Sequence, residues 1–238
     1  MKKIAIWWVL AILAGCGGDG GSDSSSISGY VADGYLKNAK VFLDLNNNFK
    51  LDAGEPNTTS VSGGHYRLEN LNQEMRQHQV VVIAQAGVTY DEENPNQPIA
   101  NSYLLCAPPG GTDFISPIST LVQERMTNDP TLTRLQAVEQ VRTELRLAAG
   151  TDPLGNYIGG NNLALQTMAR EMVTLMAEQR EQIMSQDGTT VDPVRYLLML
   201  RVMNQELTRL MENAQNGDGL QSQFMQTIRD RIKTAMVV

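Results

Sequence analysis

A chain of 238 residues, 42% hydrophobic and 19% charged, carries enough apolar material for one large or two small folded units. Its net charge of −7 and lack of a Lys/Arg cluster exclude a phosphate backbone as partner, so no nucleic acid is expected.

The first residues address the compartment. Lys2 and Lys3 form a positive start, and the uncharged apolar run Ile4 to Leu13 has the length of a signal-peptide core. A membrane span needs roughly twenty such residues, so this run is too short to be one. It ends in Leu13-Ala14-Gly15-Cys16, which resembles the lipobox of bacterial lipoproteins. An ordinary signal peptide is the plainer alternative. The resemblance implies a signal peptide over 1–15, acylation of Cys16 by lipid, and a membrane partner reached through that lipid. Gly17 stands where an aspartate would signal retention at the inner membrane, so the expected location is the outer membrane. With Cys16 lipidated, Cys106 has no partner in the chain and reads as a buried small hydrophobe.

Residues 16–26 are Gly, Ser and Asp almost throughout and read as a flexible tether. From 27 to 107 the signals are those of strands. Asp33-Gly34 suits a tight turn between Tyr30-Val31 and Tyr35-Leu36. Thr58 to Ser62, Gly63-Gly64 and His65 to Leu68 read as strand, turn, strand, and Val80-Val81-Val82-Ile83 as a central strand. Tyr103 to Cys106 reads as the last of about six strands, before Pro108-Pro109-Gly110-Gly111 breaks the pattern.

Lys40 to Leu43 runs into Asp44-Leu45-Asn46-Asn47-Asn48-Phe49-Lys50-Leu51-Asp52-Ala53-Gly54-Glu55. Asp44, Asn46, Asn48, Asp52 and Glu55 occupy places one, three, five, nine and twelve. Lys50 at place seven offers its backbone carbonyl. This is the ligand spacing of an EF-hand calcium loop, which curls six or more oxygens around a hard cation. A polar turn rich in Asn is the bland alternative. Phe49 departs from the pattern, because EF-hands place glycine there for a sharp bend. Three carboxylates and that departure predict a weak site, on the order of 10⁻⁴–10⁻³ M for calcium. The flanking strands also exclude the helix-opening switch of sensor EF-hands.

Gly29-Tyr30-Val31, Asn38 to Asp44 and Gly64 to Leu71, with the acidic loop after the second of them, resemble the prealbumin-like sandwich modules of bacterial surface proteins. These include the B-type repeats of serine-aspartate repeat adhesins and carboxypeptidase regulatory-like domains. The resemblance implies a small antiparallel β-sandwich over 27–107 with a calcium loop after its second strand.

From 113 to 238 the periodicity becomes helical. Ser116-Pro117 starts one helix, and a second runs from Thr131 to Ala149 with Leu132, Leu135, Val138, Val141 and Leu145 inward. A third spans Asn162 to Met184 with Leu165, Met168, Met172, Leu175 and Met176 inward. Asp192-Pro193 opens a fourth, to Gln215, and the last carries Leu220, Phe224, Ile228, Ile232 and Met236. The fold class expected is therefore α+β, a sandwich followed by an all-α helical bundle. Ser116 to Val122 with Gly150 to Ile158 also resembles proteobacterial lipoproteins that pair a sandwich module with a helical tail.

Rival chemistry is thin. Ten of twelve methionines lie from Met126 onward, at the spacing a helical core requires, and no Cys or His stands beside them for copper. His65 and His78 read as surface or packing residues, and Ser116 as a cap. No nucleophile motif surrounds Ser116, Ser119 or Thr120. Asp91-Glu92-Glu93 reads as a solvated loop, with a second weak cation site as the alternative. The sequence thus points to a non-enzymatic, calcium-binding envelope lipoprotein whose helical half meets a protein partner. An accessory subunit of a secretion or surface-polymer assembly is one alternative. A substrate-binding protein or enzyme with a site between the halves is the other.

Overall fold

The computed structural model describes residues 25–237. The leader and Cys16 lie outside them. Within them the chain is α+β, with nine short strands followed by seven helices.

Strand β1 (Ser25–Val31) takes in the last two serines of the Gly/Ser/Asp stretch and pairs antiparallel with β5 (His65–Leu71). Its other edge pairs in parallel with β9 (Phe114–Ile115), a two-residue strand that the sequence pattern missed. Gly29 is required at that edge. A Cβ on it would stand 2.4 Å from the Thr112 carbonyl oxygen and 2.6 Å from that of Asp113. The turn at Asp33-Gly34 forms as expected, with Ala32 bridged to Tyr35.

A second sheet is antiparallel and runs β4 (Asn57–Thr59), β3 (Lys40–Asp44), β6 (Gln79–Ala84), β8 (Tyr103–Ala107). The Val80-Val81-Val82-Ile83 run lies between two partners, and every residue of β6 and β8 is buried. Continuous apolar strands of this kind need cover on both faces. Helix α1 (Pro117–Asn128) lies against β8, and Tyr196 donates its hydroxyl to the Leu104 carbonyl at 3.1 Å. Two short strands, β2 (Leu36–Lys37) and β7 (Tyr90–Asp91), pair as a separate ribbon. Asp91, the last residue of β7, belongs to the stretch Asp91 to Glu93 expected to be a solvated loop.

The helices start where capping chemistry puts them and stop earlier than periodicity suggests. Ser116 and Ser119 form a reciprocal capping box with Pro117 in the first turn of α1. Helix α2 spans Arg134–Glu144 rather than Thr131 to Ala149. Asp129 Oδ1 takes both the N–H and the hydroxyl of Thr131 upstream, and Arg146 turns to φ +52° downstream. Val141 and Leu145 are buried as expected, but Leu135, also expected inward, is 73% exposed, and Ala137 joins the buried face in its place. The expected third helix is two, α3 (Leu163–Glu178) and α4 (Arg180–Ile183), broken at Gln179. The fourth is α5 (Pro193–Gln205) and α6 (Leu207–Asn216), broken at Glu206, where φ is −107° and ψ 11°. Helix α7 spans Gln223–Ala235, capped by Ser222.

The methionines serve packing. Met168, Met172, Met176, Met199 and Met203 are all buried in one hydrophobic cluster that also holds the strand residues. Cys106 is a buried free thiol. No described helix is long and apolar enough to cross a membrane.

Candidate metal centre

The acidic loop leaves β3 at Asp44, a fully buried carboxylate. An anion in that position requires donors on every side. It has them: Oδ1 accepts the Asn48 N–H at 3.1 Å, and Oδ2 accepts the Phe49 N–H and the Gln79 Nε2 at 2.8 Å each. The first two contacts curl the chain back over its own start. The third ties the loop to the first residue of β6.

Two side-chain turns continue the curl. Asn46 Oδ1 accepts the Asn48 N–H at 3.2 Å, and Asn48 Oδ1 accepts the Lys50 N–H at 2.8 Å. Glu55 closes the circuit, accepting the Leu45 N–H on Oε1 at 2.8 Å and the Asp52 N–H on Oε2 at 2.9 Å. The twelfth place is thereby latched to the second and the ninth. Asp52 takes the Asn46 and Asn48 amide N–H groups at 2.8 and 2.6 Å, and the Lys50 ammonium lies 3.0 Å from it. All six spacing-derived residues thus sit in one closed ring.

Phe49 explains how the ring closes without glycine. Its φ is +59°, in the left-handed region where a glycine normally stands, as is that of Asn47. That conformation costs a side-chain-bearing residue roughly 1–2 kcal/mol. The ring is repaid by burial: it is 3% exposed and meets Tyr196 of α5 edge-on, with centroids 5.1 Å apart. Sequence spacing flagged Phe49 as a defect, yet the loop bends at the glycine place with phenylalanine in it. Nothing local in the sequence pairs Phe49 with Tyr196, or Asp44 with Gln79.

The electrostatics are uneven. The Asn46 amide, then Lys50 and Asn48, hold the Asp52 carboxyl down at about 2. Burial pushes Glu55 up, with the charges of Asp44 and Asp52 adding to it and the two backbone N–H groups opposing it. Among the described residues no three His, Cys, Asp or Glu side chains gather closely enough to hold a metal by themselves. Here two of the five side-chain ligand places are amides. The donor set remains all-oxygen in kind, as a hard cation requires. To ligate, Asn46 and Asn48 have to turn oxygen where they now present nitrogen to Asp52, and the Lys50 ammonium has to leave.

The other candidates resolve simply. His65 is exposed and lies 4.1 Å from the Tyr30 ring, centroid to centroid. His78 is half-buried at the start of β6. Ser116 caps α1, and Ser119 and Thr120 donate their hydroxyls to backbone carbonyls. Burial pushes the Cys106 thiol up to about 12. Compared with protein-family models, curated proteins and solved structures, the chain has no significant match.

Proposed function

We propose that the chain is a non-enzymatic lipoprotein of the bacterial envelope, held to the outer membrane through lipid on Cys16, with Asp44 to Glu55 as a calcium clamp on a prealbumin-like sandwich. The observation that carries this reading is the closed ring itself. Residues at places one, three, five, nine and twelve are hydrogen-bonded into one turn, with the bend at place six in the left-handed conformation an EF-type loop uses. Asp44, Asn46, Asn48, Asp52 and Glu55 would hold the ion by their side chains and Lys50 by its carbonyl. When bound, the cation supplies two positive charges to a ring that otherwise sets three carboxylates against one ammonium. Asp44 and Gln79 fix the ring on β6, so binding to the folded state alone adds stability.

The role is then structural or a response to the outside, with the helical half free to meet a protein partner. Titrating calcium into the purified chain while following thermal unfolding tests this. Wild type is expected to gain in melting temperature at millimolar calcium, and Glu55→Gln, which removes one carboxylate oxygen, to gain much less. An equal gain in both proteins sinks the loop assignment.

A further inference from the structure

Away from the loop, the turn at Asp33-Gly34 and the residues after β7 face α3 across a cleft of about 430 Å³. Asp33 and Asp91 line it, with Tyr103 from β8 and an apolar wall that includes Ile99, Val173 and Ala177. Asp33 is only 6% exposed. Its Oδ2 accepts the Tyr103 hydroxyl at 3.0 Å, but its buried Oδ1 has no hydrogen-bond partner among the described residues. A buried carboxylate oxygen left without a donor is costly, and native structures rarely keep one without a use.

The charges around it are matched in a telling way. Glu93 pairs with Arg170, and Glu178 takes Arg229 on both oxygens at 2.7 and 3.1 Å. Among the described residues Asp33 and Asp91 form no ion pair, Arg170 acting on Asp91 only from a distance, and neither Lys nor Arg lines the cleft. Asp91 is half-buried, and a Cβ on Gly34 would stand 2.1 Å from its Oδ1, so this carboxyl is held against the Asp33 turn.

We propose that this cleft binds a small aliphatic amine, its ammonium donating to Asp91 and to the Asp33 carboxyl, whose buried Oδ1 turns toward the cleft to meet it, and its carbon chain lying along Ile99, Val173 and Ala177. A metal fits less well. Two carboxylates are few for a hard cation, and the nearby Glu93 and Glu178 are taken by Arg170 and Arg229. No three such acids among the described residues stand close enough to hold a metal, and the space far exceeds one ion. Pockets of a few hundred Å³ with apolar walls and a few convergent polar groups suit small organic ligands.

The site does not depend on the calcium reading. Burial first, and then the charge of Asp91, hold the Asp33 carboxyl up at about 7. An ammonium favours the ionised form, so Asp33 gives its proton to the buffer on binding, and affinity rises as pH passes through that value. The groups around Asp33 are Asp91 on β7, Glu93 after it, Tyr103 on β8, the buried Tyr157, and Glu178 on the α3 wall of the cleft, while Arg170 of α3 acts on Asp91 and Tyr157.

The test is calorimetric titration of the full chain in detergent with 1,4-diaminobutane, and in a second arm with N-acetyl-lysine amide. Saturable binding of the diamine is expected, weakened about tenfold or more in Asp33→Asn and also weakened in Asp91→Asn. Binding in Glu55→Gln is expected to match wild type. A lysine derivative that binds more tightly than the diamine would overturn the free-amine reading in favour of a lysine side chain as ligand. No saturable heat at millimolar amine, or equal affinity in both aspartate variants and wild type, overturns the site. Because Asp91 is only half-buried, its variant remains informative if Asp33→Asn fails to fold.

Discussion

Phe49 is the residue on which the acidic loop can be tested without any cation. Two opposing contributions meet there: a left-handed backbone worth roughly 1–2 kcal/mol against folding, and a buried ring packed edge-on against Tyr196. Phe49→Ala keeps the strained backbone and removes the ring, so it is expected to cost about 3–5 kcal/mol, the range for truncating a buried phenylalanine. For a chain of this size that lowers the melting temperature by roughly 6–20 °C. Phe49→Gly removes the same ring but relieves the strain. It is expected to be the milder variant by about 1 kcal/mol, even though glycine brings a more flexible unfolded chain. Urea and thermal unfolding of the three proteins decide the matter. If Phe49→Ala is as stable as wild type, the ring does not anchor the loop. If Phe49→Gly is clearly worse than Phe49→Ala, the backbone there is not left-handed and the loop bends in another way.

Two further outcomes follow from buried ionisable groups. Asp33 holds its proton to about pH 7 in the folded protein, against 3.8 ordinarily. Its contribution to stability is therefore complete below about 3.8 and is lost as pH rises to about 7, because the unfolded chain ionises first. Asp33→Asn stays neutral throughout, so its stability relative to wild type is expected to improve by up to ~4 kcal/mol between about pH 4 and about pH 8. A difference that stays flat across that window, read by thermal melts, counts against a buried, proton-holding Asp33. Cys106, buried and with its thiol pushed up to about 12, is expected to ignore an aromatic disulfide reagent at mildly alkaline pH until denaturant is added. Rapid labelling of the native protein would contradict its burial.

What was legible in the sequence was what is local. The Asp33-Gly34 turn, the central valine run, the Ser116-Pro117 helix start and the inward Leu165, Met168, Met172 and Met176 all depend on neighbours within a few residues, and the structure has them. The failures are where distant partners decide. Phe114 and Ile115 become a strand because β1 has a free edge held close by Gly29, which no local pattern announces. Leu135 shares a helical stripe with Val141 by period, yet α2 buries Val141 beside Ala137 and leaves Leu135 in solvent. The breaks at Gln179 and Glu206 carry neither Gly nor Pro. In the loop, spacing identified the ring, but Gln79 and Tyr196, which brace it, lie far along the chain. The sequence shows Asp33 only as half of a turn, because its burial is set by β8 and α3.

The loop and the acidic cleft are joined by one piece of scaffold, and its geometry bears on whether they communicate. Gln79, which holds Asp44, is the first residue of β6, and Ala84, its last, pairs with Tyr103, which holds Asp33. The two anchors are therefore a strand apart, on the order of 17 Å at about 3.4 Å per residue. Both β6 and β8 are buried along their whole length and hydrogen-bonded to each other across five residue pairs. Coupling over such a distance needs an element with two arrangements that both sites bias. A fully paired central strand offers only one. The loop's other brace, Phe49 on Tyr196, leads into α5, while the cleft is walled by α3. With no shared two-state element between them, Glu55→Gln and Asp33→Asn are expected to report on separate sites: the aspartate variant should leave the calcium-induced gain in melting temperature unchanged, and a changed gain would show that the two are coupled.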